Sequence, residues 1–185
     1  MGEQHKKHNR REHLNDFHLN VAGEYVYDGA LYACQSDDAK QHRIKRAVLG
    51  MAAILIVAVI AGGCIPAPGM QNCFYVLLPY LGEFLGAASV IWALAKLGMD
   101  WGMVREYNYK KSVAVLPVRT AVTAVFSLLG IVCELIFFFV NDHAGQTFFA
   151  LLYVLLKLIA LLSVLVLRAE IMQAEWDKLP KKNNF

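Results

Sequence analysis

Four apolar runs, each of about 20 residues, are the feature that most constrains how this chain can fold. A helix rising about 1.5 Å per residue needs a run of that length to cross a hydrocarbon layer roughly 30 Å thick. The chain is 57% hydrophobic, and the segments between the runs are too short to form a second domain. The pattern predicts an all-α membrane protein, a bundle of four transmembrane helices. The predicted spans are residues 47–65, 74–95, 120–140 and 147–167.

The positive charges predict how the bundle is oriented. Of 18 Lys and Arg residues, eight precede the first span, five lie between the second and third, four follow the last, and Lys157 lies inside one. The connectors "PAPGMQNC" and "NDHAGQ" contain none. By the positive-inside rule, both termini and the connector 96–119 are cytoplasmic. The net charge of +3 is therefore a topology signal, and we expect no nucleic-acid partner.

This charge distribution also divides the chain into three parts. Residues 1–46 form a basic cytoplasmic arm, 47–167 the transmembrane bundle, and 168–185 a basic cytoplasmic tail. Compact loops and the lack of a glycosylation sequon favour a multi-pass protein of the bacterial plasma (inner) membrane.

The amino-terminal arm carries two local patterns. Four histidines lie in its first 20 residues, but no Cys or paired carboxylate completes a metal-ligand set, so we predict no metal site. The stretch "GEYVYDGALYAC" places Asp28-Gly29 between short runs rich in Tyr and Val, which predicts a β-hairpin near 24–34 with Tyr25 opposite Tyr32. Two strands alone are marginally stable, so the hairpin needs support from the membrane surface, the connector 96–119 or a partner chain.

The connector 96–119 has the composition of an interfacial anchor. Trp101, Tyr107 and Tyr109 lie among basic residues, which predicts aromatic rings at headgroup depth. Pro117 fits the first turn of the third span, where a missing N–H costs little.

Three ionisable residues lie within the predicted spans: Glu83, Glu134 and Lys157. A charged side chain without a counter-ion at the centre of a membrane costs roughly 3 kcal/mol or more, so Lys157 requires a partner of opposite charge. Counted inward from the outer ends of the predicted spans at about 1.5 Å per residue, Glu83 lies about 14 Å deep, Lys157 about 15 Å and Glu134 about 9 Å. The equal depths predict that Lys157 pairs with Glu83, with Glu134 as a residue that could share the ammonium group.

Helical spacing places small or hydrogen-bonding residues beside these charges, so the charged faces should point inward. Glu83 lies within Gly82-x-x-x-Gly86, with Tyr80 one turn before it. Lys157 shares a face with Tyr153. The stripe on the third span consists of Thr123, Ser127, Gly130 and Glu134. The hydroxyl groups of Tyr80, Tyr153, Ser127 and Thr123 are candidates for a polar path.

The cysteines leave two alternatives open. Cys64 and Cys73 flank the first outer loop and could form a disulfide on an oxidising face, while free thiols fit the sequence equally simply.

Two classes of function fit these patterns. A non-enzymatic scaffold or accessory subunit would use the Glu–Lys pair to hold its helices in register. Two carboxylates and one ammonium group also leave one carboxylate without a cation, which suits a small proton-coupled transporter or carrier acting through Glu134 or Glu83 with Lys157. Enzymatic motifs are missing, so we expect neither enzymatic activity nor a cofactor. The expected partners are the lipid bilayer and either another membrane protein or a second copy of the chain.

Overall fold

The computed structural model describes residues 17–19, 23, 25–27, 29–98, 101–141 and 146–179. In chain order its elements are β1 (Phe17–Leu19), β2 (Tyr25–Tyr27), β3 (Leu31–Cys34), α1 (Asp38–Cys64), α2 (Pro68–Asn72), α3 (Phe74–Leu97), β4 (Met103–Arg105), α4 (Glu106–Lys111), α5 (Leu116–Val140), α6 (Thr147–Met172) and β5 (Trp176–Lys178).

The four long helices confirm the predicted set of membrane-length helices. Each apolar run lies on one of α1, α3, α5 and α6, and all four are long and apolar enough to cross a membrane. The helix α1 begins at Asp38, well before its apolar run, because the basic segment that precedes the run also contains good helix formers. Pro117 lies in the first turn of α5, as its missing N–H predicts.

The long helices form a ring in which each packs beside the next along the chain. The extensive contacts join α1 to α6, α6 to α5 and α5 to α3, and a smaller contact between α3 and α1 closes the ring. The short helix α2 packs against α3, α5 and α6. We call the end of the bundle that carries α2 the loop end, and the opposite end, which carries the strands β3, β4 and β5, the sheet end.

At the sheet end, three distant segments of the chain form one small antiparallel sheet in the order β4-β3-β5. Tyr32 of β3 lies opposite Val104 of β4 on one side and Lys178 of β5 on the other. The sheet therefore joins the amino-terminal arm, the connector 96–119 and the carboxyl-terminal tail on one side of the bundle.

The predicted hairpin between β2 and β3 is wrong. Tyr25 pairs with Leu19 of β1, and both edges of β3 are occupied by β4 and β5. A primed turn requires positive φ at its central residues. Gly29 lacks it, whereas Gly23, between β1 and β2, has φ 79°. The Asp-Gly signal was outweighed because the helices bring two further strands to β3, and one of them belongs to the connector considered as its support.

Aromatic residues hold the sheet against the helix ends. Tyr32 stacks on Tyr109 with ring centroids 4.0 Å apart, and Trp176 lies 6.0 Å from Tyr109. Trp101 is buried in the apolar core of the sheet end, and its position at headgroup depth stays a prediction. Tyr107, by contrast, is exposed beside Lys111. The connector thus contributes to a packed core as well as to a surface.

Candidate functional site

Lys157 and Glu83 form a buried ion pair in the interior of the bundle. The Nζ atom of Lys157 on α6 contacts Oε2 of Glu83 on α3, and the two residues are 2% and 0% exposed. Since α3 and α6 are not neighbours in the ring, the pair crosses the axis of the bundle. Glu83 is the ninth residue after Phe74 and Lys157 the tenth after Thr147, so both lie at nearly the same distance from the loop end.

All four long helices contribute to the surroundings of the Lys157 side chain. Its Nζ atom lies 4.6 Å from the ring centroid of Tyr80 and 5.2 Å from that of Tyr153, distances at which a cation is attracted to an aromatic face. Tyr80 in turn donates a hydrogen bond to the carbonyl oxygen of Val59 on α1, at 3.3 Å. From α5, Ser127 Oγ donates to the carbonyl oxygen of Lys157, also at 3.3 Å. The ammonium group therefore lies between the Glu83 carboxylate and two aromatic rings.

Two glycines permit this packing. A Cβ atom at Gly63 would fall 2.0 Å from the hydroxyl oxygen of Tyr80, so only glycine lets this ring approach α1. At Gly86 a Cβ would fall 2.6 Å from Thr123 Oγ1 and 3.2 Å from Thr123 Cα, where backbone, which cannot rotate away, lies close. The role of Gly63 was not predicted, because the spacing of residues along one helix does not show which side chain of another helix packs against it.

The predicted polar path does not form a chain of hydrogen bonds in the structure. Tyr80, Ser127 and Thr123 donate to the backbone carbonyl oxygens of Val59, Lys157 and Arg119 respectively. The buried hydroxyl group of Tyr153 has no hydrogen-bond partner among the described residues. Tyr80, Ser127 and Thr123 thus each donate to a separate backbone carbonyl oxygen and do not bond to one another.

Glu134 is buried without a cation. It is 0% exposed, and neither carboxylate oxygen has a hydrogen-bond partner among the described residues. The ion pair of Lys157 is with Glu83, so the structure does not bring Glu134 into that contact. The backbone of Gly69 in α2 lies close to the Glu134 carboxyl group. A Cβ atom added at Gly69 would fall 2.2 Å from Glu134 Oε2. This contact was not predicted, because the connector that contains α2 read only as an exposed loop.

The remaining predictions for the site concern the cysteines and the candidate metal ligands. Cys64 and Cys73 are free thiols in the structure, as are Cys34 and Cys133, and a disulfide across the first loop stays a prediction. In the part of the chain that the structure describes, no group of three or more His, Cys, Asp or Glu residues could hold a metal ion. His5, His8 and His13 lie outside the described residues.

Comparison of the chain with protein-family models, with curated proteins and with solved structures found no match. The class of the protein therefore rests on its own features. Four apolar helices of membrane-spanning length, packed around a buried ion pair, are compatible with a multi-pass membrane protein.

Proposed function

We propose that the protein is a non-enzymatic integral membrane protein, a scaffold or accessory subunit whose bundle is held in register by the Glu83–Lys157 pair. The observation that carries this proposal is that the pair is buried away from water. Glu83 is 0% exposed and Lys157 2%, and the two residues meet across the bundle axis. A group that exchanges a substrate with water needs access to water. A sealed pair is better suited to specifying how helices pack.

The packing around the pair supports the same role. Tyr153 and Ser127 are fully buried beside Lys157, so side chains fill the centre of the bundle. Four helices of this length rarely enclose an aqueous path without further subunits. A protein with a filled interior is more economically explained as a partner of other membrane proteins than as an independent carrier.

We further propose that the sheet end is cytoplasmic and that the membrane is a bacterial plasma membrane. Support comes from the charges: every Lys and Arg except Lys157 belongs to the arm, the connector 96–119 or the tail. Strands from these three segments meet in one sheet, which requires all three to lie on one side. The sheet gives a partner protein, or a second copy of this chain, a folded surface to recognise.

A second candidate, a small proton-coupled carrier, is favoured by one specific observation. Glu134 is fully buried and its two oxygens have no hydrogen-bond partner among the described residues. An ionised carboxylate in such surroundings costs several kcal/mol, so the group must take up a proton or a cation. A carrier could use that uptake for transport, whereas a scaffold would only tolerate it.

Purification in mild detergent followed by native mass spectrometry tests the scaffold role. We expect the wild-type chain to be isolated in a complex of fixed stoichiometry, with a second membrane protein or with itself. Lys157→Met should weaken the complex because the bundle loses its register, and Glu134→Gln, the matched control, should leave it intact.

The carrier is tested by the same variants in proteoliposomes. If the wild-type chain is a monomer whose solute uptake follows a proton gradient, and if Glu134→Gln abolishes that uptake, the scaffold proposal fails and the carrier replaces it.

A further inference from the structure

The first loop does not lie freely over the bundle but enters its loop end. Ala67 is 0% exposed, and Pro68 and Gly69 of α2 are also buried. The segment packs against α3, α5 and α6. A five-residue helix at a loop, with its first residues buried between three long helices, closes the mouth of the bundle at that end.

Beneath this segment lies the Glu134 carboxyl group. A Cβ atom at Gly69 would fall 2.2 Å from Glu134 Oε2, 2.9 Å from its Cδ and 3.1 Å from Cδ1 of Phe137. The glycine therefore brings the loop backbone directly onto the carboxyl group. The two groups do not form a hydrogen bond of ordinary geometry, and both oxygens remain without a partner among the described residues.

Among the described titratable groups that lie near Glu134, no cation is free to neutralise it. These groups are Tyr75 and Glu83 on α3, Tyr153 and Lys157 on α6, Cys133 on α5 and Cys73 directly after α2, which has no titratable group of its own. Lys157 is engaged by Glu83, and the tyrosines and cysteines carry no positive charge. Burial without a counter-charge favours the neutral carboxylic acid.

We propose that Glu134 is a proton-binding site and that residues 67–72 are a lid that closes over it. With the lid closed, the carboxyl group is dry and carries a proton. When the lid lifts, water reaches the group, the proton leaves to the loop side and the carboxylate is hydrated. Since the charged form requires water, loss of the proton and opening of the lid are coupled.

The bonding within the lid is consistent with such a movement. The backbone N–H of Gln71 donates a hydrogen bond to the carbonyl oxygen of Ala67, and that of Cys73 donates to the carbonyl oxygen of Gly69. The side-chain Nδ2 of Asn72 donates to the carbonyl oxygen of Pro68. These bonds close within the loop itself, so the segment can lift as a unit without breaking them.

This inference goes beyond the scaffold role and does not depend on it, because a lidded proton site requires neither a partner nor transport. If purification finds no complex, the scaffold proposal fails while the lid experiment below is unaffected. If the lid experiment fails, the Glu83–Lys157 pair and the complex are untouched.

Hydrogen–deuterium exchange of the full chain in lipid nanodiscs tests the lid. Exchange of the peptide covering residues 66–73, corrected for the intrinsic pH dependence of amide exchange, should be slow at pH 5.5 and at least about tenfold faster at pH 9. In Glu134→Gln, which is neutral throughout, the lid should stay closed and the pH dependence should vanish. Equal pH profiles in the wild type and Glu134→Gln would overturn the coupling.

Two controls remove other sources of a pH effect. His143 belongs to the connector 142–145, outside the described residues, and also titrates in this range. The effect must therefore survive His143→Gln. A sodium ion could replace the proton, so exchange is compared in sodium and choline buffers at one pH, and protection that follows sodium would contradict the proton assignment.

Infrared spectroscopy tests the bound proton directly. The wild type should show the carbonyl band of a protonated carboxyl group at pH 5.5 and lose it at high pH, and Glu134→Gln should lack it throughout. A wild-type spectrum without this band at low pH would overturn the site. Should Glu134→Gln fail to fold, Gly69→Ala provides the second variant, because its added Cβ should open the lid at every pH; a lid as protected as in wild type would contradict the packing argument.

Discussion

Lys157 on α6 reaches across the axis of the bundle to the Glu83 carboxylate on α3, and both residues lie at nearly the same distance from the loop end. The contact links two helices that lie opposite each other in the ring. A pair placed there opposes sliding of either helix, because a shift of one turn would separate the charges by about 5.4 Å along the axis. The pair therefore couples the register of opposite sides of the bundle.

Removing one partner of this pair should be costly, and removing both should be much less so. Lys157→Met leaves a buried carboxylate, and we expect a loss of about 3 to 5 kcal/mol in the free energy of unfolding. Glu83→Gln in the Lys157→Met background should recover much of that loss, because neither residue then carries a charge. Glu134→Gln in the same Lys157→Met background should recover less of the lost free energy of unfolding. Thermal unfolding in detergent measures the cycle, and additive effects of Lys157→Met and Glu83→Gln would show that the pair is not coupled.

The close approach of α3 and α5 depends on Gly86. Gly86→Ala places a Cβ atom 2.6 Å from Thr123 Oγ1 and 3.2 Å from Thr123 Cα, so the helices must separate. We expect a loss of about 1 to 3 kcal/mol in the same unfolding assay. Gly50→Ala in α1 is the matched control, since nothing lies within 4 Å of its added Cβ, and it should be neutral or stabilising. Equal effects of the two substitutions would contradict the packing argument.

Topology is tested by single cysteines in a chain whose four native cysteines have been replaced. Asn141, at the end of α5 on the loop end, should react with a membrane-impermeant thiol reagent in intact cells. Asp177, exposed on β5 at the sheet end, should react only after the cells are opened. Labelling of both positions in intact cells would refute the four-span arrangement.

The strand β5 should stabilise the sheet without affecting the bundle. A chain ending at Gln173 loses the backbone bonds from Leu179 N–H to Leu31 and from Gln35 N–H to Glu175. Amides of β3 should then exchange faster with deuterium, while those of α3 and α5 keep their protection. A chain ending at Leu179 keeps both bonds and serves as the control. If β3 is equally protected in both truncated chains, β5 contributes nothing to the sheet.

The sequence by itself determined the four helices and the residues that lie inside them. Membrane-length apolar runs leave little choice of local structure, because every backbone polar group must be satisfied within the segment. Helical spacing also indicated which faces are buried: Thr123, Ser127, Glu134, Tyr153 and Lys157 are all buried in the structure. Depth along a helix is a local quantity, so the level placement of Glu83 and Lys157 could be calculated from residue counts.

Only the tertiary structure decided which strands pair and what lies against Glu134. The Asp28-Gly29 signal is local, whereas β3 finds β4 and β5, which lie far away in the chain, because three helix ends bring them to the same place. The contact of Gly69 with Glu134 likewise joins a loop to a helix more than 60 residues later. Such contacts depend on how the helices are arranged around the axis, and the order of neighbours in a ring is not encoded in the periodicity of any one helix.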